Sequence, residues 1–217
     1  MRKTEKDRAF ENVEKWLPCT VEVAGVYDIP IIKPIAEMPF LDNWNRFCSI
    51  LTKPPTKSTG VQFFIQDYQF QRVWAMPDRY IDMLQKAGAV LSPDFSLFTD
   101  IPQAMQIYNH YRKHWCAAYW QKKGITVIPT IAWSDEKSIT WCFDGEPVES
   151  VVAVSSIGTQ RQGSEARRLF MYGYDAMLER LQPETVLFWG NIPNGCRGNI
   201  CPVELFYNYD KNKKGKA

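Results

Sequence analysis

From Gly60 onward, short apolar runs rich in β-branched and aromatic residues alternate with longer amphipathic stretches, and no other feature constrains the fold as strongly. The runs occupy residues 61–66, 89–91, 126–133, 151–157 and 186–189. Two strands joined through a helix pair in parallel, because the helix carries the chain back to the edge where the first strand began. The pattern therefore predicts an α/β protein: a mainly parallel sheet with outer helices, in the form of a reduced or distorted βα barrel. Ahead of it, residues 21–26 and 29–32 read as one or two further strands, separated by Asp28 and halted by Pro34. Residues 52–60 (TKPPTKSTG) read as a surface linker.

Three helices follow from local signals. The first opens at Pro77, presents Tyr80, Ile81, Leu84 and Ala87 on one side, and stops at Gly88. The second runs over residues 102–122, with Asp100 as its cap and Ile101, Met105, Tyr108, Trp115 and Tyr119 as its core stripe. The third begins near Ser164 and buries Ala166, Leu169, Phe170, Gly173, Met177 and Leu181 before Pro183 ends it; Gly173 permits close approach to the sheet.

No composition break divides the chain, so residues 1–217 read as a single domain, with 1–17 and the basic tail 208–217 peripheral. An aromatic fraction of 14% implies a large aromatic core. The longest apolar run, residues 125–133, is interrupted by Thr126, Pro129 and Thr130 and falls short of the roughly 20 residues of a membrane span, so no membrane partner is expected. Residues 1–16 mix Lys, Asp and Glu and lack the apolar segment of a secretory signal, which points to the cytoplasm. In that compartment Cys19, Cys48, Cys116, Cys142, Cys196 and Cys201 are expected as free thiols. A net charge of +2 is too mild to argue for nucleic acid, and Lys211, Lys213, Lys214 and Lys216 read as a solvated terminus.

Ligands of parallel α/β folds sit beyond the carboxyl ends of the strands, so the residues after each run are the candidates. They are polar: Asp67; Asp94 and Ser96; Trp133, Ser134 and Asp135; Ser155, Ser156 and Gln160; Asn191. Asp100 and Asp135 are explained as caps. Asp67 and Asp94 stand among apolar neighbours, where a carboxylate needs a partner or a task, and they are the candidate catalytic residues. Arg112 falls mid-stripe on the second helix, between Tyr108 and Trp115, and there requires Asp67 or Asp94 as a counter-ion. Asn109 lies at the edge of that stripe. Arg112, Asn109, Ser96, Trp133, Ser155, Ser156 and Gln160 are the candidate ligand-binding residues, and Asp67, Asp94, Arg112, Trp133 and Ser155 are expected to converge.

No metal site is expected. His110 and His114 stand four apart, a spacing that binds metal in some proteins, but both point away from the stripe and no Glu follows His110 as in the zinc-protease motif; they read as surface residues. Cys196 and Cys201 look like half of a metal knuckle without its second half. No GxxxxGK, GxGxxG or GxSxG occurs, and no cofactor is identified.

Several segments resemble a known family: FFIQDYQF followed by Trp74, then LSPDFS from Leu91, YNHYR from Tyr108, VIPTIAWS from Val127, CFDG from Cys142 and VAVSSIG from Val152. They look like an uncharacterised family encoded by phages, prophages and plasmids of Gram-positive bacteria, over residues 29–190. The resemblance implies a mobile-element origin and a host-cell cytoplasmic location. The layout of strand-end Asp, PD step, helical Asn and VIPT is also similar to the barrel-type transglycosylases that exchange bases in tRNA or phage DNA. That similarity implies a carboxylate acting on a glycosidic bond, although the Cys/His zinc cluster and a glycine pair at Ser155–Ser156 are missing. Two readings follow. One is an enzyme acting on a nucleoside, nucleotide or nucleic-acid base, with Asp94 as nucleophile or base and Trp133 as a stacking platform. The other is a non-catalytic phage protein that binds a host or defence component.

Overall fold

The computed structural model describes residues 21–35, 37–159 and 164–203. β1 (Val23–Ala24) and β2 (Ile29–Pro30) form a small antiparallel hairpin whose turn uses positive φ at Gly25 and Asp28. Seven parallel strands follow. β3 (Asn43–Arg46), β4 (Thr59–Gln62), β5 (Ala89–Leu91) and β6 (Val127–Ile128) pair in chain order. β7 (Val151–Ser155), β8 (Thr185–Trp189) and β9 (Ile200–Val203) do the same. Pro129 has no N–H to give and ends the β6 ladder. One residue later a parallel bridge between Thr130 and Ala153 joins the two sheets, with Ala153 N–H donating to Pro129 O at 2.8 Å and Ile131 N–H to Ala153 O at 2.8 Å.

All seven strands thus run the same way, and their carboxyl ends lie along one rim. The five apolar runs of the sequence correspond to β4 to β8. β3 and β9 carry polar residues or proline (Asn43, Asn45, Arg46; Pro202) and escape an apolar-run criterion; Pro202 is tolerated because β9 pairs on one side only.

Alternate residues of the inner strands face two cores. Val151, Ala153, Leu187 and Trp189 join Val61, Phe63, Val90 and Trp120 in one. Val152, Val154, Val186 and Phe188 join Phe170, Tyr174, Met177 and Leu181 in the other. Each such side chain contributes roughly 1.5–3 kcal/mol by leaving water. Trp44 of β3 lies over Gly60, where a Cβ would stand 2.3 Å from its indole, and it meets Trp189 of β8 edge-on at 5.0 Å.

The helices are α1 (Arg72–Ala75), α2 (Ile81–Leu84), α3 (Gln103–Lys122) and α4 (Ser164–Leu181). The helix expected from Pro77 is a 3-10 turn, Pro77–Tyr80, running into the short α2, yet it buries Tyr80, Ile81, Leu84 and Ala87 as expected. α4 buries its apolar stripe, and Gly173 admits the Trp133 indole rather than the sheet itself: a Cβ there would stand 2.2 Å from Trp133 Nε1. Among the described residues no helix is long and apolar enough to cross a membrane.

Candidate functional site

α3 sets the site. It starts after Pro102, an extended residue with no side-chain cap, so the expected capping by Asp100 does not occur; Asp100 is exposed. It ends at Gly124, whose positive φ lets the chain turn away. Between these ends its buried face is polar: Gln106, Asn109, His110, Lys113 and His114, followed by Ala117 and Trp120. These positions repeat every three or four residues and share one side of the helix. The expected stripe is only its flank, since Met105 and Tyr108 are exposed while Trp115 is buried. The surface placement of His110 and His114 is corrected likewise: they are 1% and 0% exposed. Both do point away from the apolar stripe, but toward a second buried surface built from β2, the turn 141–146 and the strand-end segments.

At one end of this polar face four of the expected residues meet. Asp67, just beyond β4, accepts hydrogen bonds from Ser96 N–H at 3.1 Å and Ser96 Oγ at 2.8 Å. Asn109 Nδ2 donates to Ser96 O at 2.7 Å, so helix, β5 extension and β4 extension are tied through one serine. Arg112 places Nη2 4.0 Å from Asp67 Oδ2 and lies over the Phe95 ring at 3.7 Å. Its counter-ion is therefore Asp67.

Asp94 stands apart. It accepts no hydrogen bond among the described residues, although protein packs closely around it and leaves only part of the side chain to solvent. Burial pushes its carboxyl up to about 7; the Lys113 ammonium works against this rise and the nearby Asp67 adds to it. An acid that titrates near neutrality can give or take a proton in physiological conditions.

Lys113 links the two ends of the face. Its Nζ donates to Thr130 O at 2.8 Å and to Glu146 Oε1, and its charge reaches Asp94. His114 points Nε2 at the same Glu146 oxygen at 3.0 Å, while its Nδ1–H donates to Pro30 O at 2.8 Å. His110 donates Nε2–H to Asp144 O at 3.0 Å. Burial alone would raise the Glu146 carboxyl, but Lys113 and His114 outweigh it and hold it below its ordinary value. The turn reaches this place because Gly145 has positive φ and no Cβ; a Cβ there would sit 2.6 Å from Pro30 O and 2.9 Å from His114 Nδ1. One donor atom each from His110, His114 and Glu146 lies within 4.8 Å of the other two, the arrangement among the described residues best able to hold a cation. Cys142 is no nucleophile here, since burial pushes its thiol up to about 12.

The remaining expected residues do not join this cluster. Trp133 packs against α4, donating Nε1–H to Leu169 O at 3.1 Å and meeting Phe170 at 5.4 Å. Ser156 Oγ donates to Asn191 O at 2.6 Å and Ser155 Oγ accepts from Ile157 N–H at 3.2 Å, so both hydroxyls organise the loop after β7. Gln160 lies outside the described residues. Asp135 closes the turn before the 3-10 segment Ser138–Thr140, accepting from Ser138 N–H at 3.0 Å, and is not that segment's N-cap. Among the described residues Cys48, Cys116, Cys142, Cys196 and Cys201 form no disulfide, and Cys19 lies outside the described residues.

The family model "Domain of unknown function (DUF4417)" matches residues 21–208, the stretch that carries every group just described. The chain belongs to this family. Two relatives are the Gene 1 proteins of Mycobacterium phages L5 and D29. The first is 40% identical over 202 residues, covering 91% of this chain and 86% of that protein. The second is 35% identical over 205 residues, covering 91% of this chain and 73% of that protein. No solved structure matches. In this DUF4417 chain, sequence reasoning missed Lys113 and Glu146 entirely. The available signal was the run Gln106, Asn109, His110, Lys113, His114, a helix face too regular in its polarity to be an ordinary solvated one.

Proposed function

We propose that this member of a family with mycobacteriophage representatives is an enzyme acting on a nucleoside, nucleotide or nucleic-acid base, with Asp94 as the carboxylate that transfers a proton or attacks. The observation that carries the reading is the contrast between two strand-end carboxylates. Asp67 is anchored by Ser96 and Arg112, whereas Asp94 is unanchored, raised to about 7 and set beside a buried ammonium. Paired carboxyl groups in unlike environments are how one site divides acid from base or nucleophile. Tyr68 and Tyr108, both exposed next to Asp67 and Arg112, offer faces on which a base stacks. A reduced or distorted βα barrel suits the same reading: the strands from β3 to β9 follow one another in chain order, and Trp44 and Phe64 both meet Trp189 at 5.0 Å.

The test is a panel of nucleosides, nucleotides and short oligonucleotides, followed by thermal shift and by mass spectrometry of released or exchanged base. One class should raise the melting temperature and be converted by the parent, while Asp94→Asn binds it and converts at least 100-fold more slowly. Equal turnover by Asp94→Asn would sink the proposal.

A second reading, a non-catalytic protein that binds a host component, is favoured by the exposed Tyr68, Phe98, Met105 and Tyr108 around the same end of α3. In that case Asp94→Asn leaves partner binding unchanged, whereas Phe98→Ala weakens it.

A further inference from the structure

We infer that His110, His114 and Glu146 form a binding site for a divalent transition-metal cation. The inference is independent of the enzymatic reading above and rests on four observations.

The first is the donor set. Two imidazoles four residues apart on α3 and one carboxylate from the turn 141–146 bring one donor atom each within 4.8 Å of the others. Donors on one ion stand about 2.0–2.2 Å from it, so a small closing movement of side chains suffices. Two histidines and a carboxylate are a donor set suited to zinc and to other first-row divalent metals.

The second concerns lone pairs. His110 Nδ1 and Glu146 Oε2 are buried without a hydrogen-bond partner. Buried acceptors in a folded protein nearly always have one, and two orphans in one cluster point to a missing electrophile.

The third is orientation. Each imidazole commits its other ring nitrogen to a backbone carbonyl: His110 Nε2–H to Asp144 O at 3.0 Å, and His114 Nδ1–H to Pro30 O at 2.8 Å. This outer bond is what fixes the ring and tautomer of a metal-ligating histidine. It leaves His110 Nδ1 and His114 Nε2 as the nitrogens turned toward the cluster, with His114 Nε2 3.0 Å from a Glu146 oxygen.

The fourth is charge. Among the described residues Lys113 is the ammonium that opposes a cation here, but it holds Glu146 through Oε1 and leaves Oε2 available.

The experiment uses the full chain, stripped with a chelator and titrated with Co2+ and then Zn2+. We expect one equivalent of Co2+ to give visible d–d absorption that Zn2+ displaces, and Zn2+ at 100 times its Kd to raise the melting temperature by several degrees. Glu146→Gln deprives Lys113 of its partner, so the deciding variant is His110→Asn, which leaves the Lys113–Glu146 pair intact. It should fold, retain most of its stability without metal, and lose both the absorption and the thermal shift. Cys201→Ser serves as the control and should keep both. No absorption and no shift in the parent overturns the inference, as does retained binding in His110→Asn or loss of binding in Cys201→Ser.

Discussion

α3 and α4 are helices of similar length, yet they bury opposite kinds of surface. α4 lays Phe170, Tyr174, Met177 and Leu181 on the outer faces of β7 and β8, where Val152, Val154, Val186 and Phe188 wait. α3 presses Gln106, Asn109, His110, Lys113 and His114 against strand ends, a hairpin carbonyl and a glycine turn. A helix that covers a sheet face gains its stability from dispersion and the release of water. One that covers strand ends must match donors with acceptors, because buried polar groups left unmatched cost more than they return. The first kind of helix is a wall, and the second gathers the buried ionisable groups.

The largest effect that could break this contrast is expected at Lys113. Lys113→Met removes the ammonium that pairs with buried Glu146, and breaking a buried pair on one side costs about 3–5 kcal/mol. Met177→Ala in α4 costs a similar amount, about 2–5 kcal/mol, through its cavity. The pH dependence separates them. In the parent, Glu146 lies below its ordinary value, so its contribution is present above about pH 4.5 and fades only in stronger acid. Without Lys113, burial weighs more on the carboxyl and shifts it upward, so the deficit of Lys113→Met narrows as pH falls into the acid range while that of Met177→Ala stays constant. Thermal melts of both variants from pH 4 to 8 test this, and parallel profiles would mean the polar face is energetically like any core.

The next effect is a gain. Asp94 moves from 3.8 in the unfolded chain to about 7 in the fold, so the folded protein binds the extra proton between those values and loses stability as pH rises through them. Asp94→Asn does not titrate. It should match the parent near pH 4 and exceed it by about 2–4 kcal/mol at pH 8, measured by denaturant unfolding. A site that gives up stability for a titratable carboxyl is one shaped by function. Equal stability of the two proteins at pH 8 would show that solvent reaches Asp94 freely.

The same contrast explains what could be read from the residues alone. β5 was legible as a continuous apolar run and α4 because apolar side chains at period 3.6 report burial against apolar surface. The position of α3 was legible too, but its buried face was not: apolar periodicity is blind to a surface whose partners are carbonyls and carboxylates. His110 and His114 therefore read as solvated, and Glu146, in a turn after CFDG, carried no signal that it lies against a helix more than thirty residues earlier. The need of Arg112 for Asp67 or Asp94 was legible because a lone arginine on a helix flank, beside strand-end aspartates, demands a counter-ion whatever the fold; the partner is Asp67, tied in by Ser96 and Asn109, while Trp133 and Ser155, expected to converge with them, bond elsewhere. Trp133 shows the reverse, a strand-end aromatic that serves packing against Gly173.

The smallest expected effect lies at Arg112, where α3 passes from its apolar flank to its polar face. The Arg112 side chain is 12% exposed, and its guanidinium stands 4.0 Å from Asp67 and covers the Phe95 ring at 3.7 Å. Removing it does not orphan Asp67, which keeps both hydrogen bonds from Ser96. Arg112→Ala should therefore cost about 1–2 kcal/mol, below the 3–5 kcal/mol of a buried pair broken outright, with the cation–π contact on Phe95 contributing about as much as the ion pair. A double-mutant cycle with Asp67→Asn isolates the ionic part, and its coupling energy should be about 0.5–1 kcal/mol. Phe95→Leu combined with Arg112→Ala isolates the other. A coupling to Asp67 of 3 kcal/mol would mean that Arg112, not Ser96, anchors that carboxylate, and the division of roles between Asp67 and Asp94 would then have to be redrawn around the guanidinium.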